Sequence, residues 1–217
     1  MNTIVLSEQF SLVNSWINEL RNVEIQHDRM RFRRNMERIG EIAAFEISKT
    51  LEHKEIEIQT PLDTIKTREI AVQPVITTIL RAGVPLFEGI LNYFDKADCG
   101  FVAAYRKHDA NDYFSIKQDY LTCPDINGRP LIVADPMLAT GASLIEAIKD
   151  LLTNGNPSQL HVVAVIASGQ GVEAIRKAYP DAKIWVGAID EDLTSKGYIS
   201  PGLGDAGDLS YGEKLQR

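Results

Sequence analysis

Between residues 131 and 189 the chain alternates short runs of branched apolar residues with segments of helical period, and few folds accommodate that alternation. Residues 131–134 (LIVA), 160–167 (LHVVAVIA) and 183–189 (KIWVGAI) read as buried strands. Residues 144–152 and 172–179 carry apolar side chains at helical spacing, and Asn154, Gly155, Asn156 and Pro157 stop the first of them. Strand and helix in succession are the mark of a parallel sheet with right-handed crossovers. The expected class is therefore α/β, a mainly parallel twisted sheet flanked by helices. A chain of 217 residues with 44% apolar composition can bury one such core. Neither an internal repeat nor a low-complexity linker divides it, so one domain is expected over 1–217.

The first strand ends on a carboxylate, Asp135, and passes through Pro136, Met137, Leu138, Ala139, Thr140, Gly141, Ala142 and Ser143 into the next helix. Thr140, Gly141 and Ser143 sit where a helix N-terminus would form, with Leu144, Ile145 and Ile148 on the apolar face behind. Unpaired amides at the positive end of a helix dipole suit a phosphate, and Gly141 lets the backbone come close. A carboxylate at the strand tip cannot bind the phosphate too, but it can accept hydrogen bonds from sugar hydroxyls. The reading is a sugar-phosphate site at the C-terminal edge of a parallel strand. An ordinary helix cap and turn would use the same residues. A Walker A loop is excluded, because no Lys precedes the Ser or Thr.

Further upstream the pattern repeats with an arginine at the junction. Residues 71–80 (AVQPVITTIL) read as a strand ending in Arg81-Ala82-Gly83, with a helix over 84–93. A guanidinium there can grip a diphosphate in forked fashion. Residues 100–105 form a third strand, and Arg106-Lys107-His108-Asp109-Ala110-Asn111-Asp112 reads as a polar flap. Residues 1–52 read as helical, with Phe10, Val13, Ile17 and Leu20 on one stripe and Phe32, Met36, Ile39, Ala43 and Ile47 on another. Arg29, Arg31, Arg33, Arg34 and Arg38 on the second segment are read as a solvated or subunit-facing side paired with Glu37 and Glu41, rather than a nucleic-acid patch. Residues 55–59 alternate as an edge strand before a turn at 61–63.

Bulk properties narrow the function. A net charge of −7 argues against general nucleic-acid binding, and an anionic substrate would need local cations. No run reaches the length of a membrane span, and the first residues lack the pattern of an export signal. Cys99 and Cys123 have neither redox nor metal-ligand spacing, and the four histidines are scattered. These features lead us to expect a cytoplasmic protein with no membrane partner.

The tail contains Pro201-Gly202-Leu203-Gly204-Asp205-Ala206-Gly207-Asp208, in which Gly202, Gly204 and Gly207 spell G-x-G-x-x-G. A dinucleotide fingerprint follows a strand directly and opens a helix. Here Pro201 precedes it and no apolar helix is expected after it. A glycine loop that folds over a ligand fits better, because its exposed amides and carbonyls can read the edge of a flat nucleobase.

Four separated stretches resemble the uracil phosphoribosyltransferases: Leu-Arg-Ala-Gly at 80–83, Tyr-Arg at 105–106, Asp-Pro-Met-Leu-Ala-Thr-Gly-Ala-Ser at 135–143, and Pro-Gly-Leu-Gly-Asp-Ala-Gly-Asp at 201–208. The resemblance implies a type I phosphoribosyltransferase fold, with an N-terminal helical arm over 1–60, a core over 70–188 and a base-binding hood over 189–212. It implies conversion of uracil and 5-phosphoribosyl 1-diphosphate to UMP and diphosphate. Arg81, Arg106, residues 135–143 and Asp205 would bind the donor, while Ile199, Gly204, Asp205 and Ala206 would contact uracil. Asp135, Arg81 and Asp205 would serve catalysis, Asp205 being the nearest candidate to take the N1 proton. Mg²⁺ would be carried mainly by the donor rather than by a protein cage. The resemblance further implies an unusual backbone conformation at the Arg81 loop, a homodimer or higher homo-oligomer, and GTP as a candidate effector. Two departures stand out: Thr78 where the family has Pro, and Lys107 and His108 where it has acidic residues and Thr. Three other readings stay open. They are another nucleobase, an RNA-binding pyrimidine regulator on this fold, and a catalytically silent nucleotide sensor.

Overall fold

The computed structural model describes residues 2–108 and 114–214, with backbone alone between 104 and 119. Strand β1 (Thr3–Val5) precedes helices α1 (Leu12–Arg21) and α2 (Arg29–Ser48). The hairpin β2 (His53–Gln59) and β3 (Thr64–Ile70) leads to β4 (Val75–Leu80), α3 (Val84–Tyr93), β5 (Asp98–His108) and β6 (Phe114–Thr122). Next come β7 (Pro130–Ala134), β8 (Met137–Leu138), α4 (Ala142–Leu151), β9 (Gln159–Ser168), α5 (Gly169–Ala178) and β10 (Lys183–Asp190). The tail holds β11 (Asp192–Leu193), β12 (Ile199–Ser200) and α6 (Ala206–Tyr211).

The main sheet runs β1-β10-β9-β7-β4-β5-β6, with β8 alongside β9. Its pairs are parallel except β5 with β6. Successive side chains on a strand face opposite ways, and the core divides accordingly. Ile76, Ile132, Val163, Val165 and Trp185 pack under α1, α2 and α3. Val75, Leu131, Val133, Val162, Ala164, Ile184 and Val186 pack under α4 and α5. Strands buried on both faces read as continuous apolar runs, which is why β7 and β9 are legible in the sequence.

Strand order also fixes where a ligand can sit. From β4 the chain crosses by α3 to β5 on one side, and from β7 it crosses by α4 to β9 on the other. α3 and α4 lie on opposite faces of the sheet. Adjacent strands whose connections diverge leave a crevice beyond their carboxyl ends. Arg81 follows β4 and Asp135 follows β7, so both junctions open into that crevice.

The α/β, mainly parallel, helix-flanked architecture is the one the alternation predicts. Two local expectations need correction. Residues 3–5 form an edge strand on β10 rather than part of a helix, and Phe10 is 97% exposed rather than on the buried stripe. Residues 55–59 are a strand as expected, in a separate two-stranded hairpin with residues 64–70. Strand β4 begins at Val75, after Pro74, whose missing amide cannot join the ladder. On α2, the stripe Phe32, Met36, Ile39, Ala43 and Ile47 is buried as read. Its arginines pair locally, Arg34 with Glu37 at 2.6 Å and Glu41 at 3.3 Å, and Arg31 with Glu19 at 3.2 Å.

One polar group sits deep in the sheet. The imidazole of His161 is fully buried, accepts a hydrogen bond at Nδ1 from Trp185 Nε1 at 3.1 Å, and has Nε2 3.1 Å from Gln159 Oε1. Acceptance at Nδ1 places the proton on Nε2. Burial, with a smaller contribution from the Lys183 ammonium, lowers its pKa to about 3. Above pH 6.5 the ring is neutral whether folded or not. Below that, the unfolded chain takes up a proton that the native state refuses, so stability falls with pH until about pH 3. In urea denaturation, the stability advantage of the unaltered chain over His161→Gln should shrink by about 2 kcal/mol between pH 7 and pH 5. A difference independent of pH would contradict the assignment.

Candidate active site

The crevice is a cleft of about 870 Å³ floored by the two strand-to-helix junctions and roofed by the tail. On its floor, β7 gives way to Asp135, whose Oδ1 accepts from the Met137 amide at 3.4 Å. Gly141 stands at the N-cap of α4 with φ +80°, a conformation that favours glycine, and a Cβ there would lie 3.2 Å from Ala174 Cβ. The first intrahelical bond runs from Ile145 N to Gly141 O at 2.9 Å. The amides of Ala142, Ser143 and Leu144 come before it, at the positive end of the helix. The Thr140 hydroxyl accepts from the Ala142 amide at 3.4 Å.

The loop is held from behind by Ser168, which belongs to none of the four motifs. The Ser168 hydroxyl donates to Ala139 O at 2.6 Å and accepts from Gly171 N at 2.9 Å, while its side chain caps α5. A Cβ on Gly171 would come within 2.3 Å of Ala139 O, so α5 can approach the loop this closely only with glycine there.

Beside it lies the Arg81 loop. The Leu80–Arg81 peptide is cis, which is the unusual backbone expected there. Gly83 packs against the floor, where a Cβ would meet Thr78 Oγ1 at 2.1 Å. The Thr78 hydroxyl donates to Ala134 O at 3.0 Å, so the residue that departs from the family pattern joins β4 to β7 just below the cleft.

The roof is the glycine-rich tail. Asp205 caps α6 by accepting from Asp208 N at 3.0 Å, and its other oxygen accepts from Lys214 Nζ at 2.9 Å. Burial works against the charged form of Asp205, but Lys214 and the amides of Asp208 and Gly207 outweigh it and hold the carboxyl below its usual value. That makes Asp205 a good acceptor of hydrogen bonds and a weaker base. Arg81 Nη2 donates to Asp208 Oδ1 at 2.8 Å and to Gly212 O at 2.6 Å, joining roof to floor. The roof's other anchor is Arg21, whose two terminal nitrogens each bond an oxygen of Asp190 at 2.8 Å. Arg21 also donates to Gly202 O at 2.8 Å, and Gly202 N donates to Asp190 Oδ2 at 2.9 Å. Burial raises the Asp190 carboxyl, yet Arg21 and the Gly202 amide bring it below its ordinary value.

The cleft gathers Arg81, Asp135, Met137, Leu138, Ala139, Thr140, Gly141, Ser143, Ile199, Gly204, Asp205 and Ala206 from the residues expected in the site. Pro136 and Ala142 do not line it; the Pro136 carbonyl accepts from the amides of Val165 and Ile166 at 3.0 Å each. Arg106 stands in β5 opposite Ile116, and its side chain, like those of Lys107 and His108, lies outside the described residues. So do residues 109–112, the rest of the expected flap, whose first three residues instead continue β5. Asp208 and Lys214 line the cleft without having been anticipated. The G-x-G-x-x-G spacing overlaps a short helix. It begins at Ala206, inside the spacing, and is six residues long, so it is not the helix of a dinucleotide fold.

Comparison with known proteins adds the following. Residues 7–212 match the family model described as uracil phosphoribosyltransferase. A uracil phosphoribosyltransferase from Porphyromonas gingivalis is 49% identical over 216 residues, covering 99% of this chain and 100% of its own. One from Thermococcus gammatolerans is 40% identical over 194 residues, with 87% and 85% covered. Among solved structures, a protein from Aquifex aeolicus matches with TM-score 0.86 and 28% identity, covering 99% of this chain and 100% of its own.

The anchoring of the roof by Arg21 can be tested separately from any chemistry. Arg21→Ala strands the Asp190 carboxylate, which is 7% exposed, and should cost about 3 kcal/mol of stability. Amide exchange around Gly202 and Gly204 should accelerate more than in β7. Equal acceleration in both places would show that Arg21 does not anchor the roof.

Proposed function

The chain belongs to the uracil phosphoribosyltransferase family, and on that premise we propose that its cleft joins uracil to the ribose of 5-phosphoribosyl 1-diphosphate, giving UMP and diphosphate. The observation that carries the reading is a single cleft lined by both the β7–α4 junction and the glycine-rich tail. The 5′-phosphate takes the amides of Ser143 and Leu144 and the hydroxyls of Thr140 and Ser143, at the positive end of α4. Asp135 accepts hydrogen bonds from the ribose hydroxyls and steadies the positive charge that develops at the anomeric carbon. Arg81 and Arg106 hold the diphosphate as it leaves.

Uracil lies under the tail, near Ile199, Gly204, Asp205 and Ala206. It presents two carbonyl acceptors flanking an N–H donor. Cytosine places an amino group where uracil has one carbonyl, so a backbone amide aimed there would be left unpaired and cytosine rejected. Asp205, held in its charged form, contributes a hydrogen-bond acceptor near both substrates. The N1 proton still needs an acceptor, and of the two tail carboxylates lining the cleft, Asp205 and Asp208, the family resemblance makes Asp205 the candidate, although its lowered pKa makes it a weak base.

Among the described residues no group of three or more His, Cys, Asp or Glu gathers to hold a metal ion. As the family resemblance implies, the donor's own diphosphate and ribose oxygens would supply most ligands of a Mg²⁺ ion, which would offset negative charge on the leaving group. The described helices include none long and apolar enough to cross a membrane. A cytoplasmic location, a homodimer or higher homo-oligomer and an effector role for GTP accompany the reading through the family resemblance. Four of the five arginines of the α2 cluster have partners within the protein, so regulatory binding of RNA draws no support from them. Arg31 and Arg34 pair with carboxylates, Arg33 donates to Ser210 O at 2.7 Å, and Arg38 donates to Asn35 at 3.0 Å.

Incubation with uracil, 5-phosphoribosyl 1-diphosphate and Mg²⁺ should yield UMP, and cytosine should not compete. Asp135→Asn and Arg81→Ala should each lower kcat/KM by about a hundredfold or more. A chain that binds UMP without turnover would instead be a nucleotide sensor.

A further inference from the structure

We propose that Lys214, which follows the glycine-rich loop and is assigned no role by the family resemblance, is a binding residue for the phosphates of the donor. The inference deepens the reading above and rests on it. Three observations lead to it. First, Lys214 lines the same cleft as Arg81 and the Ala139–Ser143 loop. Second, it is brought there by the fold. Helix α6 ends at Tyr211, Gly212 turns the chain with φ +92°, and the Gly212 carbonyl is gripped by Arg81 Nη2 at 2.6 Å. The guanidinium of the diphosphate loop thus draws the tail across the cleft, two residues before Lys214.

The third observation is the charge the donor meets. Among the described residues lining the cleft, the cations are Arg81 and Lys214 and the anions are Asp135, Asp205 and Asp208. The donor carries a monophosphate and a diphosphate, and these side chains, two cations against three anions, leave a net negative charge that the α4 amides and each cation must offset. Arg81 already spends both hydrogens of Nη2 on Asp208 and Gly212. Lys214 bonds Asp205 at 2.9 Å and stands 3.8 Å from Asp208 Oδ1, beyond hydrogen-bond length. An ammonium has three donors, so two remain. The side chain is 45% exposed, so neither a deep desolvation nor a packed neighbour holds it back from an arriving phosphate. The two carboxylates act as a cradle that keeps a cation waiting at the cleft.

Steady-state kinetics on the full chain test this. Lys214→Ala and Lys214→Gln should raise KM for 5-phosphoribosyl 1-diphosphate about tenfold. KM for uracil should stay within about twofold. Lys214→Arg should keep most of the donor affinity, and the donor KM of the unaltered chain should rise more steeply with salt than that of Lys214→Ala. Thermal unfolding of each variant checks that the fold is intact. An unchanged donor KM, or a loss confined to kcat, would overturn the inference, because Lys214 would then act only through Asp205. If the unaltered chain made no UMP at all, the parent reading would fail first, and this one with it.

Discussion

The cleft exists because a glycine-rich tail is tied down over the carboxyl edge of the sheet, and the tie is Arg21. Its two-pronged bond to Asp190, shared with both backbone groups of Gly202, fixes the tail where it leaves β12. A segment with Gly202, Gly204 and Gly207 would otherwise sample many conformations, since glycine loses more freedom on ordering than any other residue. The Asp205 cap and the Arg81–Asp208 pair then fix the far end. With both ends held, the backbone amides of the loop form a fixed edge against which a flat ring can be matched. Base selection on such an edge depends on geometry rather than on a charged side chain.

Below the tail, the proposed phosphate site depends on strand order. The connections from β4 and β7 diverge to opposite faces, and the helix that begins at Ala142 points its positive end into the gap. The chain as a whole is acidic, at −7, so the proposed binding of a polyanion would depend on these local dipoles, on a few cations and on a metal ion brought by the substrate. Ser168 and Gly171 keep the loop over residues 139–143 pressed against α5, so its shape is set by the protein's own contacts.

Much of this is legible in the sequence where the signal is local. β7 and its helix, the Arg81 junction and α3 all announce themselves within a dozen residues, because an apolar run, a small-residue loop and a helical stripe are neighbours in the chain. The helix over 84–93 is found with the bounds expected. What escaped was non-local or too short for periodicity. Arg21 and Asp190 are 169 positions apart, and nothing near either predicts the other. β1 is three residues long and owes its strand conformation to pairing with β10. Ser168 looks like any helix cap until its hydroxyl is seen to reach Ala139. Asp208 and Lys214 take their meaning from Arg81, more than a hundred residues upstream. Asp205 with an acid three residues later does carry a local cap signal, and the short helix it caps begins at Ala206.

The central claim is that phosphate and base occupy the two walls of one cleft, and a crystal structure with UMP tests it most directly. The phosphate should lie against the amides of Ser143 and Leu144, the ribose hydroxyls within hydrogen-bond distance of Asp135, and the uracil edge against the backbone around Gly204–Ala206. A nucleotide bound away from the β7–α4 junction, or one whose base turns out of the cleft and leaves the tail untouched, would contradict the account.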